Sequence, residues 1–168
     1  TALFTLAELY RLTGQHNRAI PLFEQARTGV IKFMGANELL LGILENNLAL
    51  IYASDGDYEK AEPLYIDANR IFKLVSGEKD PNLVNGISNL VAVYQATGDS
   101  KKLEPLLLQL KEILKQTSGT KNIQYAVCIN ALSLLYINSE RYPEAEPLAM
   151  EAMQLFEKLA GPDDPSMR

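Results

Sequence analysis

His16 is the only histidine of the chain and Cys128 the only cysteine. A thiol nucleophile needs a base placed to activate it, and a zinc-type site needs several nitrogen or sulfur donors. One residue of each kind supplies neither. His16 falls in a turn between helical stretches and reads as a solvated turn residue. Cys128 falls early in an apolar helical stretch, on the face that should pack, and reads as a buried structural thiol. The acidic stretch DGDYEKAE (55–62) hints at a calcium loop, but Lys60 stands where that loop needs its turn glycine, and helix follows at once. Asp163 and Asp164 form a carboxylate pair, yet Asp164 before Pro165 is more simply a helix cap. Neither G-x-G-x-x-G nor G-x-x-x-x-G-K-[ST] occurs, so no phosphate cradle is predicted. No catalytic residue, metal or cofactor is expected, and the chain does not read as an enzyme.

Spacing carries more than chemistry does. Pro21, Pro63, Pro105 and Pro147 follow one another at a step of 42 residues. Tyr10, Tyr52, Tyr94 and Tyr136 keep the same step. So do Leu6, Leu48, Leu90 and Leu132, and so do Gly35, Gly77, Gly119 and Gly161. Four marker columns at one period predict a solenoid of stacked repeats. The repeats run over about 1–38, 39–80, 81–122 and 123–164, within one array over 1–168. The first is truncated, and a further one starts at 165–168.

Each repeat reads as two helices. Leu83, Ile87, Leu90, Val91 and Tyr94 lie at helical spacing, and Asp80-Pro81 before them suits a helix start. First helices end at Gly14, Gly56 and Gly98, residues able to take the left-handed conformation of a C-cap. A second helix is predicted from about Asp57 to Ser76, closing at Gly77, with Leu64, Ala68, Ile71 and Phe72 as its apolar face. Ala7, Ala19, Ala49, Ala61 and Ala145 mark close helix approaches. Tyr10, Phe23, Tyr52, Tyr65 and Tyr136 fill the gaps between them. No strand pattern is visible, so the fold class is all-α.

Composition sets limits on partners. The chain has 168 residues, a formal net charge of −5 and 47% hydrophobic residues. That is a globular composition with a sequence pI near 5.0. Nucleic acid and anionic membrane surfaces require a basic footprint and are not expected as partners. No apolar run reaches the length of a membrane span. A single cysteine excludes an internal disulfide and fits a reducing, cytoplasmic compartment.

Leu48-Ala49, Tyr52, Gly56, Tyr58, Ala61, Tyr65 and Ala68 resemble the tetratricopeptide repeat pattern. The 42-residue step, the ENNLALIY first helix, the AEPLY second helix and the G-x-x-D-P connector resemble its kinesin light chain type. The resemblance implies an α-solenoid of antiparallel helix pairs wound as a right-handed superhelix. The departures carry expectations too. Leu103 and Leu107 replace Ala and Tyr in the third repeat, predicting looser or shifted packing there. Glu140 replaces the fourth turn glycine, Ser133 replaces the small helix alanine, and the first repeat lacks the Asp-Pro connector. The chain starts within a first helix and stops as another begins, which reads as a segment of a longer array with exposed ends open to self-association.

The resemblance also implies a groove lined by first helices. Carried over by register, it offers Phe4, Glu8 and Arg11 in the first repeat. Ile43, Asn46, Leu50 and Ala53 follow in the second, and Asn85, Ser88, Ala92 and Gln95 in the third. Val127, Asn130, Leu134, Ile137 and Asn138 come from the fourth. Arg11 is the only base among them, so a carboxylate clamp is not expected. Asn46, Ser88 and Asn130 form a column able to donate to and accept from a peptide backbone. The peptide-binding residues are therefore Asn46, Leu50, Asn85, Ser88, Gln95, Asn130, Leu134 and Asn138. Asn47 and Asn89, one residue later, face either the groove or the neighbouring repeat. The function read from this is a protein–protein interaction scaffold holding an extended or helical peptide, within a larger protein. The alternative is a regulatory segment that restrains an attached catalytic or signalling domain.

Overall fold

The computed structural model describes residues 2–33 and 38–160, the side chains of Phe33 and Ala160 excepted. Among the described residues there are eight helices: α1 (Ala2–Leu12), α2 (His16–Phe33), α3 (Glu38–Ser54), α4 (Tyr58–Ser76), α5 (Pro81–Thr97), α6 (Ser100–Thr117), α7 (Ile123–Asn138) and α8 (Tyr142–Ala160). No strand occurs among them. The expected all-α class and the paired helices are both present. Gly35, Gly161 and the Asp164-Pro165 step lie outside the described residues.

Two compact units divide the chain, Thr1–Thr97 and Gly98–Arg168. The first holds α1 to α5, each helix packed on the next. The second holds α6 to α8, with α7 packed on both others. The third sequence repeat thus contributes α5 to the first unit and α6 to the second.

Turn chemistry ends the first helices where the sequence predicts. Gly14, Gly56 and Gly98 have φ of 70°, 79° and 71°. At the first two turns the glycine N–H reaches back three residues and the next N–H reaches back five. Gly56 donates to Ala53 at 3.1 Å, and Asp57 donates to Tyr52 at 2.8 Å. This is a Schellman-type closure of a helix C-terminus, which places the capping residue in the left-handed region. The fourth turn keeps the same bonds, Glu140 to Ile137 and Arg141 to Tyr136, without the glycine. Glu140 accordingly sits at φ 58°, a conformation that costs a residue with a Cβ about 1–2 kcal/mol. Second helices start on side-chain caps: Asp57 accepts from the Lys60 N–H and Asp99 from the Lys102 N–H. Asp80 caps α5 at the Asn82 N–H, 2.6 Å away.

Packing follows the repeat columns. Ala7, Ala19, Ala49 and Ala61 are fully buried, and Ala145 nearly so. In the first unit Phe23, Leu44, Leu48 and Ile51 close around Ala7 and Ala19. Phe4 meets Phe23 edge-on with centroids 5.9 Å apart. In the second unit Leu103 and Leu107 are buried despite breaking the pattern. Leu107 is fully buried at its tyrosine position, and its carbonyl accepts from the Cys128 thiol at 3.4 Å. Ser133, in the alanine column, hides its hydroxyl by donating to the Ala145 carbonyl at 3.2 Å. That bond answers the desolvation penalty of a buried hydroxyl.

Tyr10, Tyr52 and Tyr136 of the tyrosine column each lie beside a cation. Arg18 lies 3.9 Å over the Tyr10 ring and Lys60 5.2 Å over Tyr52. In the last repeat the equivalent of Lys60 is Glu144, and Arg141 stacks on Tyr136 instead, at 4.1 Å. Glu104 and Glu144 bind that guanidinium at 2.8 and 3.0 Å.

Candidate functional site

The exposed faces of the first helices are built from what the core leaves over. On α5, Leu83, Ile87, Leu90, Val91 and Tyr94 turn inward. A helix that buries those positions must expose the stripe between them, and Asn85, Ser88, Ala92 and Gln95 are exposed. On α3, Leu44, Leu48 and Ile51 are buried, while Ile43, Asn46, Leu50 and Ala53 are half-buried. On α1 the corresponding Phe4, Glu8 and Arg11 are half-buried, with Arg11 bound to Glu8 at 2.9 and 3.2 Å. In the second unit Val127, Leu134, Ile137 and Asn138 of α7 are exposed and Asn130 is half-buried.

Hydrogen bonds refine this reading. Asn89 donates from Nδ2 to the Asn46 Oδ1 at 3.4 Å. The bond ties α5 to α3, so Asn89 serves the scaffold and engages the acceptor of Asn46. Asn47 is 8% exposed and belongs to the interior. Ser88 donates to the Val84 carbonyl of its own helix at 2.8 Å, leaving hydroxyl lone pairs as acceptors. Two members of the polar column therefore spend part of their capacity inside the protein.

These helix pairs, 42 residues apart, have counterparts. Residues 40–102 and 82–158 match a tetratricopeptide repeat family, and residues 2–28 match a second tetratricopeptide repeat family. The chain belongs to the tetratricopeptide repeat family. Among solved structures it is similar to BtubC (BKLC) from P. vanneervenii, with a TM-score of 0.81 and 20% identity over 95% of this chain. It spans 63% of that protein. It is also similar to nearly identical TPR-like repeats from Podosopora anserina, described as those of a putative kinesin light chain, with a TM-score of 0.75 and 21% identity. That alignment covers 94% of this chain and 74% of the other, and a variant of the same repeats gives 0.76. No curated protein matches the chain. The fold class is the all-α tetratricopeptide solenoid. Repeats of this family generally serve as protein-interaction scaffolds.

Of the two lone reactive residues, one sits as the sequence predicts and one does not. Cys128 is 3% exposed, and burial pushes its thiol up to about 12. His16 is not a solvated turn residue. It is the first residue of α2, and its Nδ1 lies 2.6 Å from Asp55 Oδ1 in the turn before α4. The partner lies 39 residues away, so no local pattern announces it.

Sequence reasoning also missed the pair Arg27–Glu45. Arg27 Nε donates to Glu45 Oε1 at 2.7 Å, joining α2 to α3. Glu45 is 4% exposed, and its Oε2 is buried with no hydrogen-bond partner among the described residues. Burial raises the carboxyl above its ordinary pKa, and the Arg27 bond only partly opposes this. A signal was present: Glu45 interrupts an otherwise apolar helix core.

Charge is distributed by helix type. Neither α5 nor α7 contains an Asp, Glu, Lys or Arg. On α1, Glu8 and Arg11 neutralise each other. The second helices carry most of the charge, much of it in short-range pairs such as Asp67–Arg70 and Lys102–Asp99. Among the described residues no group of three His, Cys, Asp or Glu side chains could hold a metal. No described helix is long and apolar enough to cross a membrane.

Proposed function

We propose that the chain is a protein–protein interaction scaffold that binds an extended or helical peptide on the exposed faces of its first helices. In the first unit the reading side chains are Asn46, Leu50, Asn85, Ser88 and Gln95. In the second unit they are Asn130, Leu134 and Asn138. The observation that carries this reading is the combination of register and exposure. Uncharged donors and acceptors recur at equivalent positions on faces that the core does not use. An exposed charged face would suit solvation alone, whereas amides flanked by small and aliphatic residues suit a peptide backbone and its side chains. No carboxylate clamp is needed, since Arg11 already serves Glu8. Nucleic acid and membrane are left out by the net charge of −5. A cytoplasmic location goes with this reading, supported by the lone reduced cysteine.

Calorimetry with a peptide selected on a synthetic array tests it. Asn46→Ala should weaken a peptide that binds the first unit, and Asn130→Ala one that binds the second, each by about 0.5–1.5 kcal/mol, the net worth of a neutral hydrogen bond. Asn89→Ala is the control, because it breaks the Asn46 scaffold bond and removes no proposed reading residue. Circular dichroism follows folding. Unchanged affinity in both asparagine variants sinks the amide column as the reader. Unfolding of both would place the asparagines in the scaffold alone.

A further inference from the structure

The joints between successive repeats show what covers a first helix in this protein. At the α2–α3 joint, Leu48 and Ile51 of α3 pack with Phe23 and Val30 of α2. Arg27 binds Glu45 across the same joint at 2.7 Å. At the α4–α5 joint the Asn69 amide occupies the space that a Cβ on Gly86 would take. At the α6–α7 joint the Leu107 carbonyl accepts from the Cys128 thiol. Gly86 and Cys128 share one repeat register, Asn69 has that of Arg27, and Leu107 has that of Phe23. Each joint therefore sets the same face of a second helix against the same face of the next first helix.

Both faces recur on the chain in an open form. Leu9 of α1 is 54% exposed, whereas Ile51, Val93 and Leu135 at its register are 7% exposed or less. Phe156 of α8 is half-buried, whereas Val30, Phe72 and Leu114 at its register are 4% exposed or less. So α1 offers the face that α3 turns to α2, and α8 offers the face that α2 turns to α3. The two also match in chemistry. Met153, 54% exposed, stands at the register of Arg27, and half-buried Leu3 at that of Glu45. Where the internal joint buries an ion pair, an α8–α1 joint would bring Met153 to Leu3 and desolvate no charge at that pair of positions.

We propose that the α8 face of one copy of the chain packs on the α1 face of a second copy, in the register of the internal joints, with Met153 against Leu3 and Leu9 buried. One chain carries both halves of the joint, so a second copy supplies the missing half without any other partner. The contact is heterologous, because it joins two different surfaces.

The test is the mass of the whole chain by light scattering over a concentration series, with circular dichroism to follow folding. The native chain should associate. Leu9→Asp and Met153→Asp should each raise the dissociation constant about tenfold or more, since a short carboxylate cannot reach water from within the joint. An equimolar mixture of the two variants keeps one intact α8 face and one intact α1 face, and should form pairs and nothing larger. Leu108→Asp, on α6 at a position that the α6–α7 joint leaves 44% exposed, should associate as the native chain does. If either aspartate variant loses helicity, the serine variant at the same position takes its place with the same expectation. Native-like association of Leu9→Asp or of Met153→Asp overturns the inference, because one of the two faces is then not in the contact. A mixture that stays monomeric overturns it in favour of a contact between like faces. Loss of association in Leu108→Asp overturns it in favour of unspecific apolar contact, and a native chain that stays monomeric at every concentration overturns it outright.

Discussion

At the scale of single residues, Glu45 is where the protein's stability should respond to pH. Its carboxyl is raised mainly by burial, with Arg27 acting in the opposite sense and Asp67 and Glu24 adding to the rise. A raised acid binds its proton more tightly in the folded state. Its stabilising share is thus fully present below the unfolded value near 4.5 and is lost as pH climbs through the folded value. Other carboxylates have the opposite slope: Asp57 and Glu78 are lowered by their bonds to Lys60 and Lys73. The informative quantity is therefore the stability of the native chain minus that of Glu45→Gln, from urea denaturation at several pH values. It should fall as pH rises from 4.5, by about 1.4 kcal/mol for each tenfold gain in proton affinity on folding. A difference that is flat or rising would show that the Arg27 bond outweighs burial. The sequence shows Glu45 as an odd residue in an apolar helix, but the depth of its burial depends on how α2 lies against α3.

At the scale of helices and turns, repetition makes an internal control. Three turns use glycine at the left-handed position and the fourth uses Glu140. The backbone hydrogen bonds of the fourth turn match those at Gly14 and Gly56, so the geometry is imposed and the side chain endures it. Glu140→Gly should stabilise the chain by about 1 kcal/mol, the relief of left-handed strain less the entropy that glycine adds to the unfolded state. Thermal unfolding followed by circular dichroism measures it. A loss of stability would mean that the Glu140 side chain makes a contribution larger than its strain. The turn glycines, the Asp80 cap and the span of α4 were legible in the sequence because each is decided by neighbours a few residues away. The pairing of His16 with Asp55 was not, because helices α2 and α3 intervene between them.

At the scale of the whole molecule, apolar surface outside the proposed peptide faces sets behaviour in solution. Leu6, Leu9 and Leu12 on α1 are 39%, 54% and 72% exposed, and Met153 and Leu159 on α8 are 54% and 43% exposed. The equivalents of Leu6, namely Leu48, Leu90 and Leu132, are 4% exposed or less. A leucine column that is buried in the later repeats and exposed on α1 marks α1 as a surface that gains by being covered. Light scattering over a concentration series should show association, and Leu9→Lys should reduce it. A chain that stays monomeric at every concentration would show that these side chains are too dispersed to drive contact.

The sequence by itself determined the period, the helices, the turns that end them and the family, since each rests on local backbone preference or on a column counted along the chain. It also determined which first-helix positions stay out of the core: with Leu83, Ile87, Leu90 and Tyr94 turned inward, Asn85, Ser88 and Gln95 had to turn outward. Only the tertiary structure decided how those side chains are engaged. Whether the Asn46 acceptor is open or bonded depends on Asn89, 43 residues away. Whether Glu45 is solvated depends on helices that the chain reaches only by folding back. Hydrogen bonds between distant residues are fixed to fractions of an ångström by helix packing, and a periodic sequence specifies that packing only to the level of which face meets which.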